Sequence, residues 1–318
     1  MLSAGVHTAR TKNMDPPKSK LLRTARKQLS LILMSIPIMV YVFIFSYRPL
    51  KGLIMAFQNF RPGKKDQVWV GLKHFKALFT DDAFLRVLRN TICMSVINLS
   101  FSFIFAIILA ILLNEIRVSG YKRLVQSVSY LPHFLSWIIV TGLVQTFLST
   151  DGGILNGLLM QLNIIDSPIH WLGQPKLFWW IVGGANIWKE TGWNSIIYLA
   201  AITSISPELY EAAYMDGANR FQKILHITLP GIRPTIIILL IMNLGWILNA
   251  GFEVQFLLGN GIVQDVSETI DIFVLRNGIS QGNYSLATAA GLFRSVVSLV
   301  MLTGANFLAK KFGEERLV

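Results

Sequence analysis

Six long apolar runs divide the chain: Leu29–Tyr47, Thr91–Leu113, Leu124–Leu148, Leu177–Ile205, Thr235–Leu257 and Leu286–Leu308. Each is near or above the roughly 20 residues that cross a bilayer as a helix. Pro37 lies inside the first, where a bundle tolerates it as a kink. A polar loop, 48–86, follows, with Trp69-Val70-Gly71-Leu72-Lys73-His74-Phe75 as a short surface element and amphipathic helix over Leu72–Phe79 and Phe84–Leu88. The third run is entered through Tyr130-Leu131-Pro132-His133. After it, Asp151-Gly152-Gly153 opens a loop, 149–176, expected to re-enter around Ile154–Met160. Lys189-Glu190-Thr191-Gly192 interrupts the fourth run, and residues 258–285 form a polar, Gly-containing loop. The expected architecture is an all-α integral membrane bundle of about six transmembrane helices. Its parts are a basic tail (1–28), a first span with its loop (29–90), a transmembrane domain (91–308) and a short C-terminal tail (309–318).

Between the fourth and fifth runs lies a polar insert with strong helical signals, residues 206–234. Ser206 suits an N-cap, Pro207 the first helical position and Glu208 the first turn. Leu209, Ala212, Ala213 and Met215 give one short helix an apolar side. Gly217 breaks it, since glycine alone bends freely there. Ala218, Phe221, Ile224 and Leu225 share a face of a second segment, which Pro230 and Pro234 are expected to stop and redirect toward the bilayer. By pattern alone, an ordinary pair of amphipathic surface helices would look the same.

The insert resembles the EAA loop of ABC-importer permeases, a pattern of EAA, then three residues and G, then about nine residues and I-x-L-P. Here it stands as Glu211-Ala212-Ala213, Gly217 and Ile227-Thr228-Leu229-Pro230. Asp216-Gly217-Ala218 and the trailing Pro234 resemble the carbohydrate, maltose-type branch, with Ile224 where that branch often has Phe. Asn59-Phe60-Arg61-Pro62, Leu112-Leu113-Asn114-Glu115, Leu131-Pro132-His133-Phe134 and Trp188-Lys189-Glu190 are similar to runs in LplB-type oligosaccharide permeases. The resemblance spans about residues 45–310 and implies a type I ABC-importer permease fold. It also implies a non-catalytic permease subunit carrying a carbohydrate, with a second homologous permease, a cytoplasmic ABC ATPase dimer and an extracellular solute-binding lipoprotein as partners. On that resemblance Glu211, Ala212, Ala213, Asp216, Gly217, Ala218, Phe221, Ile224, Leu229 and Pro230 are the ATPase-coupling residues.

Composition agrees with the membrane reading: 53% of the 318 residues are hydrophobic and only 14% charged. Net charge is +12, which in a soluble chain would point to nucleic acid. Here the charge sits in flanks and loops, so anionic lipid and membrane orientation explain it better. Arg10, Lys12, Lys18, Lys20, Arg23, Arg26 and Lys27 face only Asp15 in the N-terminal tail, which lacks a cleavage site and is expected to be retained. The tail, Arg117/Lys122/Arg123, Arg220/Lys223/Arg233 and Lys310/Lys311/Arg316 share one side, assigned to the cytoplasm of a bacterial cell with both termini inside. The 48–86 loop is itself basic and argues the other way; the resemblance decides, since an EAA loop faces a cytoplasmic ATPase.

No GxxxxGK[ST] phosphate loop, GxSxG or HExxH occurs, the five histidines are scattered, and lone Cys93 excludes an internal disulfide. The chain is therefore expected to hold no cofactor or metal, with ATP bound by the partner ATPase. Polar residues inside the runs are costly and mark a path or a partner contact. Asn186, Glu190 and Asn194 recur at every fourth position of the fourth run, and Asn243, Trp246, Asn249 and Glu253 make a similar stripe on the fifth. These either line a sugar path or bond between helices and permeases. Lys189 and Glu190 fit best as a mutual pair or near a membrane surface, and Arg294 as an ion pair, a path residue or a snorkelling side chain. An ion-coupled secondary transporter would show inverted repeats; no internal repeat is visible. The outward loops 48–86 and 258–285 are expected to dock the binding protein.

Overall fold

The computed structural model describes residues 28–311, so most of the basic N-terminal tail and the last seven residues lie outside the described residues. The chain divides into two compact units, Met1–Ile54 and Met55–Val318. In the first, α1 (Leu29–Val42) contains Pro37 and continues through a π-helical turn, Phe43–Tyr47, into a 3-10 stretch, Arg48–Phe57, whose last three residues belong to the second unit. The run is strongly apolar and leaves α1 with no buried side chain. Tyr41–Phe45 and Phe43–Tyr47 ring pairs line its surface.

The second unit opens with a two-residue antiparallel ribbon, Gln58–Asn59 with Val68–Trp69, followed by α2 (Lys73–Thr80). Next comes α3 (Asp82–Glu115), whose first turn is capped by the Asp81 carboxylate accepting from Ala83 N at 2.9 Å. Its 34 residues run about 50 Å, well beyond the ~30 Å hydrocarbon layer, so it extends past the predicted 91–113 span. The third run is not straight. Helix α4 (Ser119–Tyr130) ends in a 3-10 turn, Leu131–Phe134, and turns 102° into α5 (Trp137–Phe147). Pro132 and the Ser136 N-cap make this elbow. A short helix α6 (Ile154–Gln161) occupies the loop expected to re-enter.

Helix α7 (Pro175–Thr203) is central: it is continuous over 29 residues and packs along α3. The coupling segment follows as α8 (Pro207–Met215) and α9 (Arg220–Lys223). After a π turn, Ile224–Thr228, the chain enters α10 (Leu229–Leu244). The remainder comprises α11 (Glu253–Leu258), α12 (Gln264–Ser267), α13 (Ile270–Leu275) and α14 (Tyr284–Lys311).

Three buried clusters hold this unit together. Phe84, Phe273, Leu78 and Ile270 gather at one end, with Phe79, Phe84 and Phe293 meeting edge to face. Met94, Phe178, Val254 and Leu258 form the second, and Ala106, Ala110, Tyr198 and Ile232 the third.

Among the described residues, four helical runs are long and apolar enough to cross a membrane, or five with the bent pair as one span. The expectation was about six. The difference is α7, which has the length but carries Asn186, Lys189, Glu190 and Asn194 in its middle. Two further expectations change. Pro230 and Pro234 do not stop the helix, because Arg220–Leu244 is a single 25-residue helical run. The π turn just before Pro230 shifts the hydrogen-bond register where the ring removes a donor, so the helix passes through. The helix of the fifth run also ends at Leu244, not near Leu257: the chain leaves it through turns from Gly245 on, and Gly251 takes φ +90° before α11 begins.

Candidate functional site

Two features stand out in the second unit: a polar cavity in the middle of the bundle and the paired helices around Gly217. A cavity of about 370 Å³ opens between α3, α7 and α10. That size falls within the usual range of ligand sites. From α7 it takes Asn186, Glu190 and Asn194, the three residues whose spacing places them on one face of an unbroken helix. From α10 and the turn beyond come Leu239, Asn243, Trp246 and Asn249. The last two arrive from irregular backbone, so the predicted helical stripe is not the reason they converge. Glu253, in the first turn of α11, is exposed and does not line the cavity.

Sequence reasoning missed the α3 wall. Ser95, Asn98 and Ser102 line it, and Trp137 closes it from the start of α5. Their spacing of three and four within an apolar span was the available signal. Ser102 Oγ accepts from Asn194 Nδ2 at 3.0 Å, joining the α3 and α7 walls. Ser95 Oγ and Asn98 Oδ1 are buried without a protein hydrogen-bond partner. The lining thus offers amides, hydroxyls and two indoles. Its one charged member is Glu190, and no lysine or arginine lines it.

Glu190 is held from outside the cavity. Its Oε2 lies 2.8 Å from His133 Nδ1 and its Oε1 3.6 Å from Lys189 Nζ. Lys189 is buried, donates to the His133 carbonyl oxygen and sits 5.5 Å over the Trp137 ring. His133 stacks on Trp193 at 4.4 Å. The lysine therefore satisfies a carbonyl freed by the elbow, the usual remedy for a broken span. The predicted Lys189/Glu190 pair is present, but as part of a latch between α7 and the elbow. Arg294 takes the ion-pair role, bonded to Asp271 on α13.

At the other end of α7, Gly217 has φ +76°, a conformation only glycine adopts cheaply, and it separates α8 from α9. Pro207 starts α8 as expected, whereas Ser206 makes no capping bond. Asn219 and Gln222 instead form a capping box that starts α9. Met215, Phe221, Tyr214 and Leu209 are all more than half exposed, Met215 by 83%. Glu211, Ala212, Asp216 and Pro230 are exposed too, while Ala213, Ala218, Ile224 and Leu229 are partly covered. An exposed apolar surface of this extent suits a protein partner or the membrane. Tyr210 Oη meets Thr228 Oγ1 at 3.0 Å, so α8 is tied to the π turn at the base of α10.

Residues 102–314 match the family described as binding-protein-dependent transport system inner membrane component. Protein LplB of Bacillus subtilis (strain 168) is 44% identical over 90% of this chain and 90% of its own length. The polygalacturonan/rhamnogalacturonan transport system permease protein YteP of the same organism is 43% identical, over 94% and 93%. A crystal structure of a bacterial alginate ABC transporter in complex with alginate pentasaccharide-bound periplasmic protein contains a chain that superposes with TM-score 0.86. It is 40% identical, and the match covers 94% of this chain and all of that one.

Proposed function

This chain belongs to the binding-protein-dependent transport system inner membrane components, and on that premise we propose that it is a permease subunit of an ABC importer for an oligosaccharide. One observation carries the coupling part of this reading. The helical run Arg220–Leu244 bears the exposed contact surface at its start, and Leu239 and Asn243 at its end line the cavity. At 1.5 Å per residue, its 25 residues form a lever of about 37 Å. Movement imposed at Phe221 thus reaches the cavity wall through a hydrogen-bonded rod, with Tyr210–Thr228 as a second tie.

The roles follow from that geometry. An ABC ATPase pair receives Met215, Phe221 and the EAA helix in a groove and supplies the ATP chemistry this chain lacks. A second, homologous permease completes the translocation path. A solute-binding protein delivers substrate to the opposite side, where loops 48–86 and 258–285 lie. The sugar path is the cavity. Amides and serines exchange hydrogen bonds with sugar hydroxyls, and the Trp246 and Trp137 faces stack on pyranose rings. ATP-driven closure of the ATPases shifts the permease pair between inward-open and outward-open states. Both termini and the coupling helices face the cytoplasm of a bacterial cell.

The test is uptake by the assembled complex carrying Asn243→Ala or Trp246→Ala. Uptake of the carried oligosaccharide falls severalfold while complex assembly is unchanged. Unaltered uptake in both variants would remove this cavity from the path.

A further inference from the structure

A second groove, of about 700 Å³, runs down the outer side of the α3–α7 pair, away from the cavity. Its α3 wall is Arg89, Ile92, Cys93, Val96 and Ile97, an unbroken helical stripe, and Lys176, Trp179 and Trp180 face it from α7. The groove is polarised. Arg89 lies one turn before Ile92 on α3, and Lys176 one turn before Trp180 on α7. Both cations therefore sit at one end, opposite the coupling helices. Below them the α3 wall is apolar for about two turns, roughly 12 Å by helix rise.

Arg89 and Lys176 also stand where the apolar runs begin, just before Thr91 and at Leu177. That is the headgroup level, and the paired tryptophans are the usual residues of that boundary. Neither cation enters an ion pair among the described residues, and no carboxylate lines the groove. Arg89 is exposed and lies 5.9 Å over the Trp179 ring, and the Trp179 indole is fixed by donating to Val266 O at 2.8 Å. Trp180, Val96 and Ile92 remain 56%, 46% and 41% exposed.

We propose that this groove binds one anionic glycerophospholipid, its phosphodiester between Arg89 and Lys176 and an acyl chain along Ile92, Val96 and Trp180. The paired cations select the headgroup charge, and the stripe accepts the chain. The stripe that continues from the cations into the apolar run stays open, which suits a molecule carrying both a charged headgroup and an acyl chain.

The test uses the full transporter reconstituted with phosphatidylglycerol or phosphatidylcholine carrying the same dibrominated acyl chains, which quench nearby indoles. The signal is the quenching lost in a Trp179→Phe/Trp180→Phe variant, which isolates the groove from this chain's other six tryptophans and from any in the partner chains. Half-maximal quenching is expected at about thirtyfold lower mole fraction for phosphatidylglycerol, the scale for two cations at about 1 kcal/mol each near a membrane surface. Arg89→Gln/Lys176→Gln should bring the two lipids together. Equal quenching by both lipids in the unmodified chain overturns the proposal in favour of ordinary bulk lipid. Absence of Trp179/Trp180-dependent quenching by either overturns it in favour of coverage by the second permease.

Discussion

Gly192 sets how closely the central helix approaches the elbow, and Gly192→Ala is the sharpest perturbation of the fold. A Cβ there would lie 1.8 Å from the Ser129 carbonyl oxygen, 2.4 Å from its carbon and 3.0 Å from Tyr130 N. Comfortable C–H···O contacts lie at about 3.3–3.6 Å, so the two backbones must separate by roughly 1.5 Å. No side chain can rotate to relieve a backbone clash. The same shift stretches the 2.8 Å His133–Glu190 contact past hydrogen-bonding range and removes an acceptor from buried Lys189. Overpacking costs about 1–3 kcal/mol, and disturbing a buried charged network adds to it, giving about 3 kcal/mol in all. The assay is the half-life of the purified, detergent-solubilised complex at fixed temperature, because such unfolding is usually irreversible. If the loss falls on the unfolding rate, the half-life shortens by about two orders of magnitude. Gly184→Ala on the same helix is the control: its added Cβ meets nothing within 4 Å. It should be neutral or slightly stabilising, since alanine is the better helix former. If Gly192→Ala decays no faster than Gly184→Ala, the close packing of α7 on the elbow is wrong.

Tyr210→Phe removes the hydroxyl that meets Thr228 and costs about 1 kcal/mol locally; the ATPase should still co-purify while sugar imported per ATP drops severalfold. An unchanged ratio would refute a coupling role for that tie. Arg294→Met leaves the half-buried Asp271 carboxylate without its cation and should destabilise by about 1–2 kcal/mol, discounted for partial exposure. A double-mutant cycle with Asp271→Asn reads the interaction, and a coupling energy of zero contradicts the pair. Burial raises the Glu268 carboxyl above its ordinary value of 4.5, with Arg276, 2.9 Å away, opposing the shift. A raised acid contributes stability that is intact below its unfolded value and lost as pH climbs through its folded value. Stability of the natural chain relative to Glu268→Gln should therefore fall with rising pH above about 4.5, and a rising difference would contradict the burial argument.

The coupling segment was legible because its signals are local. Gly217 must take φ +76°, Pro207 starts a helix, and both depend on neighbours in sequence alone. Pro230 misled for a related reason. A proline stops an α-helix by helical hydrogen-bond rules, but a single π turn changes those rules without leaving any mark in composition. The α7 face of the cavity was readable since Asn186, Glu190 and Asn194 stay in phase on a continuous helix. The reading of Asn243–Glu253 failed past Leu244, where the chain leaves the helix that the spacing assumed. Trp246 and Asn249 still reach the cavity, through turns that no periodicity describes. Ser95, Asn98 and Ser102 were hidden because isolated small polar residues are unremarkable in an apolar span. The latch needed tertiary knowledge, since His133 and Glu190 are 57 residues apart.

The central claim is that the helices around Gly217 receive an ATPase, and co-purification tests it most directly. The tagged chain is expressed with its second permease and the host sugar-importer ATPase, natural or as Gly217→Pro. Proline requires φ near −65° and has no N–H, whereas Gly217 sits at +76° and donates to Tyr214 O at 3.1 Å. The account expects ATPase to be recovered with the natural chain and lost with the variant, while the second permease stays bound to both. Equal ATPase recovery with both chains, or none with a natural chain that still holds its second permease, would contradict it.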